Sequence, residues 1–323
     1  MSSEQSPGAR RAPVPDSVVD EAAHRLATAA VTGVTCPPVS DLIGPDDIVA
    51  AYRIQERFNS LRAQGRTVTG RKIGATSEAV QVQLGVHQPD FGVLYDDMQY
   101  GDGALIPIER LLQPRVEAEV AFVLGADLAE GPLDAAQCRA AVACAMPALE
   151  IVDSRITDWD ITFADTIADN ASAGVYVLGR ERHTLDAFEP ADVVMALKVD
   201  GELVSSGSGA ACLGDPLNAL AWLAQRAREF GDPLRSGQVI LSGALGPLSP
   251  VRPGVTVQAT IRPLGTVTAR FTAGTQGTPG RHGTSGTAGI PGTPGTRSTP
   301  GPQGTPDPQG TPGTPGPQQE WDK

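Results

Sequence analysis

The chain has 323 residues and a mass of 33.4 kDa, enough for one large domain or two small ones with a buried core. Its 25 Lys and Arg against 37 Asp and Glu give a formal net charge of -12, a poor match to a phosphate backbone, which argues against nucleic-acid binding. No run approaches the ~18 uncharged apolar residues of a membrane-spanning helix. The polar, proline-rich start over 1–16 does not read as a secretory signal, and four cysteines without a CxxC pair cannot form a disulfide scaffold. The expected setting is the cytoplasm.

Residues 1–70 read as a helical region. Ser17 is placed to cap a helix carrying Val18, Val19, Ala22, Leu26 and Ala29 and stopped by Gly33. A second helix from Asp46 sets Ile48, Ala51, Ile54, Phe58 and Leu61 on one stripe and ends at Gly65. From Thr67 the chain turns β-rich, with strands predicted at 67–74, 115–124, 147–153, 174–179, 193–199, 202–206, 238–242, 255–262 and 266–272. Asp200-Gly201 is a two-residue hairpin signal. Helices are predicted at 134–145, holding Cys138 and Cys144 as small buried side chains, and at 215–230, opened by Asp215-Pro216 and closed by Gly231. Hairpins mixed with helices point to an α+β fold with a mixed, largely antiparallel sheet.

From Gly274 the composition changes. Of the last 50 residues 33 are Gly, Pro or Thr, and glycine recurs at every third position to Gly316 except at Ser298 and Asp307. That is a collagen-like period, but the run is short, interrupted and without apolar surface, so 274–323 is expected to be a disordered, dispensable tail. The expected organisation is a helical region 1–70, a catalytic β-rich domain 71–273 and this tail.

The segment Val116-Glu-Ala-Glu-Val-Ala-Phe-Val-Leu124 carries the most chemistry. On a strand, Glu117 and Glu119 share one face, their Cα atoms ~6–7 Å apart. Buried side by side, such carboxylates repel and call for a hard divalent cation with oxygen ligands. On an edge strand they would simply face water, and alternation alone does not choose between the two. Glu150 interrupts a second apolar run, Pro147–Asp153, and offers a third oxygen ligand. The four histidines are scattered, which disfavours zinc and leaves Mg²⁺ or Mn²⁺.

Lysine is rare, and Lys72 lies between glycines in Gly70-Arg-Lys-Ile-Gly74. Gln88-Pro-Asp-Phe-Gly92 places Asp90 in a turn. An ammonium and a carboxylate near a metal suit proton transfer, although either alone would read as a surface lysine or a turn aspartate. No GxGxxG or GxxxxGK[ST] loop is present, which disfavours nucleotide chemistry, and Asn170-Ala-Ser172 is a chance match to a glycosylation acceptor.

Six collinear motifs together resemble a known family: Gly70–Ser77, Gln88–Leu94, Gln113–Glu119, Glu150–Arg155, Ala168–Ser172 and Leu241–Gly246. Over roughly residues 15–272 the chain is similar to the 2-keto-4-pentenoate hydratase/4-oxalocrotonate decarboxylase group of the fumarylacetoacetase superfamily. The resemblance implies a β-roll or barrel-like core, Mg²⁺ (or Mn²⁺) held by Glu117, Glu119 and Glu150, and an active-site pair Lys72 and Asp90. Arg71, Ser172 and Ser242, within the same motifs, are candidates for substrate contact. The implied reaction is hydration of 2-hydroxypenta-2,4-dienoate or a homologue to a 4-hydroxy-2-oxo acid, in meta-cleavage breakdown of aromatic or steroid rings. Leu84–His87 and Gly243–Pro247 favour a hydratase over the alternative, a 4-oxalocrotonate-type decarboxylase. The resemblance further implies a homo-oligomer and association with a downstream aldolase, and a non-catalytic partner subunit of that pathway stays open as another class.

Overall fold

The structure, a computed structural model, describes residues 12–77, 81 and 88–274. The expectations placed on the tail beyond Gly274 and on Leu84–His87 lie outside the described residues. Three helices come first: α1 (Asp16–Thr32), α2 (Ser40–Ile43) and α3 (Ile48–Arg62). Helix α1 begins one residue before Ser17, because the Pro15 carbonyl takes the first free amides, those of Val18 and Val19. It ends where Gly33 turns left-handed at φ 70° and donates its N–H to the Ala29 carbonyl. The Asp47 side chain caps α3 by accepting from the Ala50 N–H at 3.0 Å.

The apolar stripe of α3 is narrower than its sequence pattern. Ala51, Ile54 and Phe58 are buried as expected, but Leu61 is exposed. Buried instead are Gln55 and Asn59, whose amides bind groups of the β-rich region. The helices share one apolar cluster with α5 (Phe163–Ala168), built around Leu26, Ile54, Phe58, Phe163 and Ile167.

The first strands are β1 (Val68–Gly74), β2 (Asp90–Tyr95), β3 (Gln99–Gly101), β4 (Leu105–Ile106) and β5 (Arg115–Leu124). Asp90 thus opens a strand rather than occupying a turn, paired opposite Gly74. Helix α4 (Ala135–Ala141) stops four residues earlier than predicted, and β6 (Val142–Val152) takes over. Pairing of Val142 with Leu124 and of Cys144 with Val123 overrides the helical preference of an alanine-rich segment. Cys138 is therefore helical and Cys144 lies on a strand, both buried.

The remaining elements are β7 (Ala173–Leu178), β8 (Val194–Val199), β9 (Glu202–Ser208), α6 (Pro216–Glu229), β10 (Val239–Ala244), β11 (Ser249–Pro250), β12 (Thr256–Arg262) and β13 (Gly265–Phe271). Asp200 and Gly201, both at positive φ, form the expected tight hairpin between β8 and β9. The Asp215 side chain caps α6 ahead of Pro216.

The strands form two mixed sheets. The larger runs β2-β1-β10-β5-β6-β7-β3, with β11 beside β5, and the smaller runs β4-β13-β12-β8-β9. Pairing is antiparallel except between β1 and β10, β3 and β7, and β4 and β13. This is the expected mixed, largely antiparallel α+β architecture, but both sheets are open and neither closes into a barrel. A shared core joins one face of β5, from Val116 to Leu124, to Val257, Ile261 and Val267 of the smaller sheet and to Leu220 and Leu223 of α6. The opposite face of β5 is left to carry the chemistry.

Candidate active site and metal centre

Alternation along β5 sends Val116, Ala118, Val120 and Phe122 into the core and turns Arg115, Glu117 and Glu119 to the other face. Glu117 pairs in register with Glu150 of β6, so two glutamates meet on neighbouring strands. All three are buried, at 6% exposure for Glu117, 0% for Glu119 and 1% for Glu150. One carboxylate oxygen from each lies within 4.8 Å of the others.

A bulge in β10 after Leu241 directs the Gly243 N–H to Glu119 Oε2 at 2.7 Å. Gly243 has φ +111°, and a Cβ there would lie 2.2 Å from Thr76 Oγ1, so glycine is required. Glu119 Oε1 and Glu150 Oε2 have no hydrogen bond, and Glu150 Oε1 has only the Lys72 ammonium beside it. Burial, then the charge of Glu150, pushes the Glu117 carboxyl up to about 8, with Lys72 opposing. Burial and the charges of Glu150 and Glu117 hold Glu119 well above the usual carboxylate range. Unpaired buried carboxylate oxygens are costly. One oxygen from each of the three glutamates, converging here, fits a hard divalent cation.

The site face of β1 carries Lys72, while Ile73 faces the core. Lys72 Nζ donates to the Ala171 carbonyl at 2.8 Å and sits 3.1 Å from Glu150 Oε1. Burial disfavours this ammonium, but the carboxylates of Glu150, Glu117, Asp90 and Glu119 outweigh it and raise its pKa. Asp90 Oδ2 accepts from the Thr166 hydroxyl at 3.3 Å, and Oδ1 has no hydrogen bond. Burial raises the pKa of Asp90 against the pull of Lys72. A Cβ at Gly74 would meet Asp90 Oδ1 at 2.2 Å, so the glycine makes room for the aspartate.

The carbonyl that holds Lys72 comes from an unusual turn. Asn170, Ala171 and Ser172 take φ values of 56°, 50° and 52°, three left-handed residues in a row without a glycine. Buried polar contacts hold them there. Asn170 Oδ1 accepts from the Val93 N–H at 2.8 Å and from Asn59 Nδ2 at 3.0 Å, and Asn170 Nδ2 donates to the Val93 carbonyl at 2.9 Å. Just upstream, the buried ion pair of Arg155 with Asp169 anchors the chain. Asn170 is fully buried with its amide in use, so it is no glycosylation acceptor in this fold.

A cavity of about 380 Å³ opens onto Lys72, Asp90, Glu117, Ser172, Arg115 and Trp159. Of the predicted substrate contacts, Ser172 lines it. Ser242 lies outside the lining, fully buried, its carbonyl accepting from Cys212 Sγ at 2.8 Å. Arg71 is a correction. As the neighbour of Lys72 along the strand it points to the opposite face, where it pairs with Asp232. Sequence reasoning missed Thr166, Ala171, Gly243, Arg115 and Trp159. Arg115, Ala171 and Gly243 lay inside the collinear motifs, Arg115 as a cation two residues before the paired glutamates, whereas Thr166 and Trp159 left no signal.

Residues 68–272 match the family model described as fumarylacetoacetate (FAA) hydrolase C-terminal. The chain is 50% identical over 258 residues to 2-keto-4-pentenoate hydratase from Burkholderia vietnamiensis (strain G4 / LMG 22486), covering 80% of this chain and 98% of that protein. It is 52% identical over 255 residues to the TodF product hydratase of Pseudomonas putida (strain F1), covering 78% and 95% of the two chains. Among solved structures it is similar to 4-oxalocrotonate decarboxylase from Pseudomonas putida G7, complexed with magnesium and adipate. That match has 29% identity and a TM-score of 0.77, and covers 80% of this chain and 99% of the other.

Proposed function

Because this chain belongs to the fumarylacetoacetate (FAA) hydrolase family, we propose that it is a Mg²⁺-dependent lyase that hydrates 2-hydroxypenta-2,4-dienoate or a close homologue to a 4-hydroxy-2-oxo acid. One observation carries the reading: three buried carboxylates converge to within 4.8 Å beside a buried Lys72 and Asp90, on a chain about half identical to hydratases over nearly their whole length. The lower identity to the decarboxylase makes decarboxylation the second reading.

Glu117, Glu119 and Glu150 are the proposed metal ligands, and Mn²⁺ would suit the same oxygen set. A bound divalent cation supplies Lewis acidity to a chelating 2-oxo or 2-hydroxy acid, favouring the enolate over the neutral form. The reaction needs a proton removed from the 2-hydroxyl, a proton delivered to C5, and then water added across C3 and C4. Asp90 is suited to carry protons: burial raises its pKa, and Oδ1 is free to take or give one. Lys72 has the other part. Its charge is fixed by the surrounding carboxylates, and it is held by Glu150 and the Ala171 carbonyl, so it orients oxygen atoms and balances negative charge. The Gly243 N–H fixes Glu119, and the Thr166 hydroxyl fixes Asp90.

The proposed setting is the cytoplasm, which four free, buried cysteines support. Among the described residues no helix is long and apolar enough to cross a membrane. Homo-oligomerisation and association with a downstream aldolase rest on the family resemblance alone, and size-exclusion chromatography with and without such an aldolase tests both. Product analysis tests the reaction. Purified protein with Mg²⁺ and the dienoate is expected to yield a 4-hydroxy-2-oxo acid, identified by mass and by its carbon spectrum. Release of carbon dioxide from 4-oxalocrotonate with no hydration would establish the decarboxylase instead. No turnover of either substrate would leave the non-catalytic partner.

A further inference from the structure

Arg115 is the unused cation of the cavity. It starts β5 on the same face as Glu117 and Glu119, and the three descend from the mouth inward: Arg115 half-buried, Glu117 at 6% exposure, Glu119 at 0%. Its guanidinium lies over the Trp159 ring, 4.3 Å from the centroid. Among the described residues it has neither an ion pair nor a side-chain hydrogen bond. Asp158 lines the same cavity. An arginine carries five N–H donors in a fixed fork, and burial leaves them in need of acceptors. This one keeps its fork open towards the cavity.

The ring beneath it is deliberately held. Asp158 and Trp159 both take left-handed φ values, 57° and 58°, which side chains other than glycine adopt at a cost. Gln113 fixes them: its Oε1 accepts from the Asp158 N–H at 2.7 Å, and its carbonyl accepts from Trp159 Nε1 at 3.0 Å. Gln113 is two residues before Arg115, so one short stretch places both the cation and the aromatic face that supports it.

Charge completes the case. The buried groups Glu117, Glu119, Glu150 and Asp90 are set against a single ammonium, Lys72. Even with a divalent cation bound, four ionised carboxylates leave the site negative, yet the substrate class is anionic. An unpaired guanidinium at the mouth supplies the missing positive charge, and its planar fork matches a carboxylate. We propose that Arg115, backed by Trp159, binds the carboxylate of the 2-oxo acid substrate and makes this pocket select acids over their neutral analogues. The inference rests on the functional reading above, deepening it to a substrate-binding residue.

The test needs no turnover. Calorimetry would measure binding of 2-oxopentanoate, a saturated 2-oxo acid, to Mg²⁺-loaded protein, and binding of Mg²⁺ alone. For Arg115→Met the expected result is ~10–100-fold weaker 2-oxopentanoate binding, the usual size of a lost charge-assisted hydrogen bond, with Mg²⁺ affinity within about 2-fold of wild type. Arg115→Lys, which keeps the charge and loses the fork, should fall between. In turnover assays the loss should appear mainly in KM, with kcat changed less. Equal 2-oxopentanoate affinity in wild type and both variants would overturn the proposal. So would a parallel loss of Mg²⁺ binding, which would make Arg115 a support of the metal centre. A protein that binds 2-oxopentanoate through Arg115 but hydrates no dienoate would retain this inference while sinking the proposed reaction.

Discussion

Glu119 shows how much a single buried side chain is asked to do. It is fully buried, one oxygen accepts from Gly243, and the carboxylate converges with those of Glu117 and Glu150. In Glu119→Gln the amide oxygen can still accept the Gly243 N–H, while the amide nitrogen cannot bind a cation. Turnover is expected to fall by more than ~100-fold, because losing a ligand exceeds losing a ligand's support. The metal-free variant should melt no lower than the wild type, since a buried carboxyl without its cation does not stabilise the fold. Asp90→Asn is expected to lower kcat by ~10²–10⁴-fold, the size of a lost proton carrier, and Lys72→Ala by ~10²–10³-fold, the size of a lost electrostatic donor, while Mg²⁺ still binds, as measured by steady-state kinetics and calorimetry. Glu117 links the site to pH. With its carboxyl pushed up to about 8, metal-free protein at neutral pH carries a proton there that a cation must expel. Mg²⁺ affinity should therefore rise with pH through about 8, as Glu117 loses its proton. Calorimetry in buffers of differing ionisation enthalpy should show protons released on Mg²⁺ binding at about pH 7, and no release at that pH would contradict the raised Glu117 carboxyl.

Among the elements, the turn at Asn170–Ser172 links the helical cluster to the catalytic lysine. Its Asn170 side chain ties together Val93 of β2 and Asn59 of α3, and its Ala171 carbonyl holds Lys72. Asn170→Ala removes three buried hydrogen bonds and leaves their partners unpaired, so a stability loss of about 2–4 kcal/mol is expected in denaturant unfolding, together with a lower kcat. This turn was not legible in the sequence, because nothing in Asn-Ala-Ser marks three left-handed residues where glycine is absent. Strand β2 was hidden for a related reason, as Pro89-Asp90 and Gly92 read as a turn until pairing with β1 is seen. The glutamates were legible because period-two alternation survives folding. The same alternation, applied to β1, separates Arg71 from Lys72 and explains why a residue inside the right motif faces the wrong way.

For the whole molecule, the mixed sheets and the capped helices at 48–62 and 216–229 could be read from hydrophobic period, capping residues and hairpin chemistry. The openness of both sheets could not, since strand order is set by long-range pairing that a linear pattern does not carry. All site residues lie between Lys72 and Gly243, and among the described residues the last strand ends at Phe271. Deleting residues 275–323 is therefore expected to leave kcat and KM within about 2-fold of the full chain, the scatter expected for changes remote from a site.

The central claim is that three buried glutamates make this chain a metal-dependent hydratase. Its most direct measurement is the ultraviolet absorbance of 2-hydroxypenta-2,4-dienoate over time with protein stripped of metal, before and after adding Mg²⁺. The expected result is no loss of absorbance in stripped protein, full turnover on adding Mg²⁺, and none in Glu117→Gln under either condition. Undiminished hydration by rigorously metal-free protein, or by Glu117→Gln, would contradict it.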